Sequence, residues 1–204
     1  MRQLELLAPA RDAQIGIAAI DCGADAVYIA GPQFGARQAA GNTIDDIRTL
    51  CSYAHRFGAR IFVALNTILY DEELEAAYRQ MLAVQEAGAD ALIIQDMAVL
   101  KMAQEGIGDF RKDFRIPLHA STQCAIRTPE QAAFLESAGF SRLILERELS
   151  LEQIKAIRSA VSCELEFFVH GALCVCYSGQ CYLSEKIAGR SANRGSCIQA
   201  CRSR

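Results

Sequence analysis

The chain of 204 residues is 51% apolar and 22% charged, the balance of an ordinary globular domain and long enough to bury one substantial core. Its net charge of −3 excludes a global attraction to nucleic acid, and no apolar run approaches the roughly 18 to 20 residues that a membrane helix needs. The opening "MRQLELLAPARD" lacks the apolar core of a signal peptide, so the expected compartment is the cytoplasm. Nine cysteines are there not expected to form a disulfide framework.

Seven apolar, β-branched runs follow one another along the chain. They are "ELLAPA" from Glu5, "DAVYIAG" from Asp25, "RIFVALN" from Arg60, "DALIIQD" from Asp90, "PLHAS" from Pro117, "RLILER" from Arg142 and "ELEFFVHG" from Glu164. Most are continuous instead of alternating, as expected of parallel strands covered on both faces. Helix candidates lie between them. "DEELEAAYRQMLAVQEAG" carries acids in its first turn and Gly88 as a C-terminal cap, and "TPEQAAFLESAG" places Thr128 as N-cap, Pro129 at the first helical position and Gly139 at the end. "CGADAVYI", "FGARIFVAL", "AGADALII" and "AGFSRLIL" repeat one design: helix end, glycine, short turn, strand.

One α/β unit reused in this way predicts a (β/α)8, TIM-barrel-like fold. An open doubly wound sheet is the alternative, but "APARD" after the first strand is not a glycine-rich phosphate loop. Seven strands are one short of a closed barrel, so the barrel is expected to be incomplete. The chain divides into a barrel domain, 1–173, and a Cys-rich, basic segment, 174–204. An unclosed barrel exposes two edge strands, which would pair with a further chain or be capped by the tail.

Barrel active sites sit at the carboxyl ends of the strands. There the sequence places Asn66, Gln95 with Asp96, His119 with Ser121 and Gln123, Glu146 with Arg147 and Glu148, and His170. Singly, each could merely satisfy loop backbone; together they favour one mouth. His55 reads as an ordinary histidine near a helix C-terminus. Lys186, Arg190, Arg194, Arg202 and Arg204 form an acid-free stretch, read either as a phosphate-binding patch or as a solvated tail.

Cys22, Cys51, Cys124 and Cys163 are scattered and read as core thiols. Cys174, Cys176, Cys181, Cys197 and Cys201 are clustered, with the spacing C-x-C-x4-C-x15-C-x3-C. No C-x-x-C redox pair is present. Irregular spacing among Gly and Ser suits an iron–sulfur cluster, two loosely paired sets of thiols would also admit zinc, and Cys174 with His170 could be a nucleophile and its base.

"ELEFFVHGALCVCYSGQCYLS", together with "LELLAPA", "GADAVYIAGPQFGAR", "LHASTQ", "LERELSLEQI" and "GRSANRGSCIQACR", resembles the collagenase-like peptidase family, the unassigned-type peptidases. Several members of that family are iron–sulfur proteins that hydroxylate a pyrimidine base of transfer or ribosomal RNA, or a quinone precursor, without molecular oxygen. Prephenate is implicated as the oxygen source. Within the family the sequence is most similar to the long bacterial members linked to ribosomal RNA cytidine hydroxylation. The resemblance implies a [4Fe-4S] cluster on Cys174, Cys181 and Cys197, with Cys201 or a residue beyond the chain as fourth ligand, and Cys176 as an extra thiol. It implies His170, His119 and Glu148 as acid/base and orienting groups, and RNA as partner. Two other functions stay open: a peptidase using Cys174 and His170, and a non-enzymatic, zinc-stabilised module.

Overall fold

A computed structural model describes residues 4–36, 41–108, 113–171 and 174–202. All seven expected strands form: β1 (Leu7–Ala10), β2 (Ala26–Ala30), β3 (Arg60–Leu65), β4 (Ala91–Ile94), β5 (Leu118–Ala120), β6 (Arg142–Ile144) and β7 (Glu164–Glu166). They make one sheet in sequence order, every neighbouring pair parallel. The crossovers are α1 (Ala13–Asp21), α2 (Ile44–His55), α3 (Leu74–Glu86), α4 (Met97–Glu105), α5 (Pro129–Ala138) and α6 (Leu151–Ala160), and α7 (Leu183–Ala188) lies in the tail. The incomplete TIM-like barrel read from the sequence is thus the observed architecture.

Strand periodicity splits the apolar runs between two cores. Val27, Ile29, Ile61, Val63, Leu92, Ile94 and Leu143 face the helices and pack with Ile47, Leu50, Tyr78, Met81 and Ile157. Their alternates Ala26, Phe62, Ala91, Ile93 and Ile144 form a separate cluster on the concave side, with Leu7 and Tyr28 against it. Both faces are therefore dry, which is why the strands read as unbroken apolar runs.

Curling of the sheet is fixed at its floor by charge. Arg142, at the start of β6, is 4% exposed. It donates to Glu5 just before β1 at 2.7 Å, to Glu164 at 2.8 Å through Nε, and to Glu166 at 3.2 Å. Arg60 also pairs with Glu5. These bonds draw the first strand toward the last two across the opening of the half-barrel. Among the described residues no strand closes β7 onto β1.

The helix ends follow their side-chain chemistry. Capping boxes open α2 (Thr43 with Asp46), α5 (Thr128 with Gln131, Pro129 in the first turn) and α6 (Ser150 with Gln153). Gly139 ends α5 in the left-handed region at φ 115°. His55 ends α2 and lies 3.0 Å from Asp90.

Two expectations need correction. "ELEFFVHG" is not strand throughout: β7 stops at Glu166, because an edge strand has no second neighbour to carry its ladder on, and Phe168 and Val169 are exposed. Cys22 is not a core thiol either; it sits exposed at the C-terminal cap of α1. Cys51 fits the buried reading and Cys124 and Cys163 are partly buried, with burial pushing the Cys51 and Cys124 thiols up to about 12.

Candidate functional site

Parallel strands present their carboxyl ends at one rim, and the loops there carry most of the polar side chains that the barrel buries. Among the described residues, six buried side-chain atoms have no hydrogen-bond partner: Gln95 Oε1, His119 Nδ1, Arg127 Nη2, Glu146 Oε1, Arg147 Nε and Asn193 Nδ2. Gln95 follows β4, His119 lies in β5, Arg127 precedes α5, Glu146 and Arg147 follow β6, and Asn193 is in the tail. A buried polar atom without a partner costs about 1–3 kcal/mol. Their concentration on the concave side and rim of one half-barrel marks a place where further partners are supplied.

Glu146 is fully buried. Its Oε2 accepts from Arg127 Nε at 2.5 Å, which leaves Oε1 and Arg127 Nη2 free as an adjacent acceptor and donor. The Arg127 guanidinium lies over the Tyr177 ring at 4.5 Å and reaches Gln180 Oε1 at 3.5 Å. Arg147 donates to Ser178 Oγ at 3.2 Å and lies 5.8 Å from the Phe168 ring. On the neighbouring rim Asn66 accepts from the Ala36 N–H at 2.9 Å and donates to Ser121 Oγ at 3.3 Å.

The tail runs back over this rim. Gly179, at φ 71°, sits so close to the loop after β5 that a Cβ there would lie 2.2 Å from the Gln123 carbonyl oxygen. Further on, Asn193 O accepts from the Ile68 N–H at 3.1 Å. Arg194 donates to both carboxylate oxygens of Glu73, at 2.7 and 2.9 Å, and to Ile68 O, with Tyr70 4.0 Å away. The tail is therefore anchored at the β5–β6 side and again at the loop after β3. Arg194 is spent on this anchor. Lys186, Arg190 and Arg202 are exposed, and Arg204 lies outside the described residues.

The residues expected to do chemistry are distributed unequally. His119 is not on the rim but inside the barrel, 3% exposed, with its ring edge-on to Phe62 at 4.7 Å. Burial, then the charges of Arg142 and Arg60, lower it to about 3, so it is neutral. His170 and Glu148 are exposed; His170 lies four positions beyond β7, and Glu148 follows β6, close enough for its charge to act on Arg127. Glu146 is the carboxylate that enters the polar mouth, and Arg127 completes it. No periodicity signals Arg127; the signal is its place just before the Thr128 N-cap, which puts it on the carboxyl-end face.

All nine cysteines are free thiols. Cys176 is partly buried, and burial, then its neighbours Cys181 and Cys174, raise its thiol. Cys174 is exposed. Cys197 lies elsewhere in the tail, where its sulfur accepts from Ser184 Oγ at 3.7 Å and from the Gln199 N–H at 3.4 Å. Cys201 is exposed. A set of neighbouring thiols is the donor chemistry that iron–sulfur clusters and zinc take. The arrangement does not complete such a site: among the described residues no three His, Cys, Asp or Glu groups converge on one metal position.

The signature of Peptidase family U32 matches residues 11–204. The chain belongs to this family. A 23S rRNA 5-hydroxycytidine synthase of Escherichia coli is 56% identical over 98% of the chain. A tRNA hydroxylation protein of Bacillus subtilis is 34% identical over 97% of it, and a collagenase of Porphyromonas gingivalis 33% identical over 99%. The chain spans 29%, 46% and 50% of these three relatives, so it corresponds to under a third of the synthase and about half of the others. The solved structure of a U32 peptidase superposes with a TM-score of 0.66 at 15% identity, covering 82% of this chain and 69% of that one, which establishes the shared U32 barrel fold. No helix of the described residues is long and apolar enough to cross a membrane.

Proposed function

We propose that this U32 chain forms the barrel of an RNA-modifying enzyme that hydroxylates a pyrimidine base, a cytidine of ribosomal RNA in the first instance. The observation that carries the reading is the 56% identity to the ribosomal RNA 5-hydroxycytidine synthase over 98% of the chain. The mouth suits a flipped-out base, because Glu146 Oε1 and Arg127 Nη2 are an unused acceptor and donor side by side. A carboxylate accepts from the exocyclic amine of cytosine, and a guanidinium donates to ring nitrogen or carbonyl acceptors.

Glu148, whose charge acts on Arg127, and His170, exposed beyond β7, are proposed to move protons, while neutral His119 shapes the interior as an orienting group. Cys174, Cys181 and Cys197 are proposed to hold a [4Fe-4S] cluster, with Cys201 or a residue beyond the chain as the fourth ligand, and zinc as the alternative metal. A bound cluster would supply an electron-transfer or Lewis-acid centre. Prephenate is proposed as the oxygen source, and Lys186 and Arg190 as phosphate contacts. Neither the cluster nor prephenate is needed for the family assignment.

The peptidase reading rests on the collagenase among the relatives. Among the described residues no hydrogen bond joins Cys174 to His170, as a nucleophile and its base require. Deleting the gene and analysing ribosomal RNA nucleosides tests the proposal: hydroxycytidine should disappear and return with the wild-type gene. Unchanged hydroxycytidine would overturn it. Anaerobic purification with iron and sulfide analysis tests the cluster separately, and a colourless, iron-free protein would remove it.

A further inference from the structure

Outside the mouth, on the same rim, a cleft of about 510 Å³ opens between the start of α4 and α5. Its walls are Met97, Phe134 and Leu135, and the amides of Gln95, Gln123 and Gln131 border it. Phe134 is 66% exposed, an unusual position for a phenyl ring on a helix that otherwise faces its barrel. The acidic group on the cleft is already engaged: Asp96 accepts from the Leu69 and Ala98 N–H groups, one on each oxygen. No lysine or arginine lines the cleft.

The hydrogen-bonding groups are set in a definite sense. Gln131 Oε1 accepts from the N–H groups of Arg127 and Thr128, at 3.0 and 3.2 Å, closing the N-terminus of α5. What Gln131 offers a ligand is therefore its NH2 group. Gln95 Oε1 is buried without a partner and offers an acceptor. An aromatic face, apolar walls, the Gln131 donor, the Gln95 acceptor, the Gln123 amide with one of each, and no cation suit a flat, neutral ligand with its own donors and acceptors on one edge. They do not suit a phosphate. A nucleobase has that edge in every case and a stacking face besides.

We infer that this cleft is a base-binding subsite, which takes an unpaired RNA nucleotide flanking the one delivered to the mouth, stacked on Phe134 and read by Gln95 and Gln131. The inference rests on the RNA reading above and deepens it. The cleft and the mouth are neighbours: Gln131, on the cleft, accepts from the Arg127 N–H at 3.0 Å, and Arg127 pairs with Glu146. A strand entering the mouth over α5 would pass Phe134 first.

The test uses the intact protein and a fluorescein-labelled single-stranded RNA carrying the hydroxylation-site sequence, with affinity read by anisotropy. Phe134→Ala should weaken binding about tenfold, the usual loss for one stacked base, and Phe134→Tyr should restore it. A single abasic nucleotide scanned along the RNA should weaken the wild type at one position near the target and leave Phe134→Ala unaffected there. Equal affinity of wild type and Phe134→Ala would overturn the subsite while leaving the RNA reading intact. Loss of thermal stability without loss of RNA affinity would overturn it too, assigning Phe134 to a packing surface. If the wild type binds no RNA at any position, the function proposed above fails, and the subsite with it.

Discussion

Arg142 and Glu5 are 137 positions apart and meet at 2.7 Å on the floor of the half-barrel, the sixth strand reaching across to the residues before the first. The same guanidinium, almost wholly buried, also serves Glu164 and Glu166; Glu5 keeps Arg60 as a second cation and Glu164 is half exposed, so Glu166 is the buried carboxylate that depends on Arg142. Removing one partner of a buried pair leaves the other charged and dry, which costs about 3–5 kcal/mol. Arg142→Met is therefore expected to lower unfolding free energy by about that much, measured by urea titration. A loss under about 1 kcal/mol, the worth of an exposed pair, would show that the floor is hydrated and does not hold the curl.

A pH dependence follows from His119. The folded chain keeps its imidazole neutral down to about 3, whereas the unfolded chain protonates near the ordinary value of about 6.5. As pH falls through that value the unfolded state takes up a proton that the native state refuses. Stability should then fall by up to about 1.4 kcal/mol per pH unit until pH nears 3. His119→Asn removes this contribution. Glu166, raised by burial, acts in the opposite sense, but equally in both chains. The difference in unfolding free energy between wild type and His119→Asn at pH 7 and pH 5 isolates the histidine, and a pH-independent difference would refute its neutrality.

Much of this was legible in the sequence, for physical reasons that differ by element. Strands buried on both faces, such as "DALIIQD" and "RIFVALN", announce themselves because every position from Ala91 to Ile94 and from Ile61 to Leu65 is apolar. Thr128, Pro129 and Gly139 announce α5 because capping chemistry is local. The length of β7 was not legible, since whether "FFVHG" stays in the sheet depends on a neighbouring strand that the segment itself does not encode. The mouth was half legible: Glu146 stood among the strand-end residues, but that Glu146 points inward and Glu148 outward follows from the turn at 147–148 beyond β6, since a continued strand would put both on one face. Arg127 was signalled only by its place before the Thr128 N-cap, because a loop arginine becomes meaningful only when the fold sets it 2.5 Å from a buried carboxylate.

The tail's docking can be broken at one atom. At Gly179 a methyl group would collide with the Gln123 carbonyl, and the positive φ already disfavours any other residue. Backbone on both sides prevents easy relief. Gly179→Ala should lift the turn from the rim, taking Tyr177 off Arg127 and exposing Cys176 and Cys181, while the barrel stays folded. Alkylation of these two thiols, followed by mass spectrometry, should accelerate several-fold at an unchanged unfolding midpoint. Unchanged alkylation would mean that the turn is not fixed there.

Arg194 makes the second anchor, and arginine is needed for its geometry. Two N–H groups meet the two oxygens of Glu73 while another reaches Ile68 O; an ammonium group cannot do this. Arg194→Lys should therefore fail to rescue what Arg194→Ala loses. Limited proteolysis within residues 183–202 reports it, and a lysine variant as resistant as wild type would reduce the anchor to simple charge attraction.

The sharpest test of the mouth is Glu146→Gln. The amide keeps the volume of the carboxylate and one acceptor oxygen, so the fully buried position is not emptied. It weakens the bond from Arg127, for a stability loss of about 1–2 kcal/mol, and removes the charge that would accept from a cytosine amine. A gene-deletion strain complemented with Glu146→Gln should contain folded protein at normal abundance but much less hydroxycytidine, by tenfold or more if the charged acceptor contributes about 1.4 kcal/mol or more to base recognition. Glu148→Gln, altering the exposed carboxylate two positions on that is proposed to move protons, should also lower hydroxycytidine but leave RNA affinity unchanged, whereas Glu146→Gln should lose both. If Glu146→Gln yields full hydroxycytidine, the buried Glu146–Arg127 pair serves only to hold Tyr177 and the tail in place.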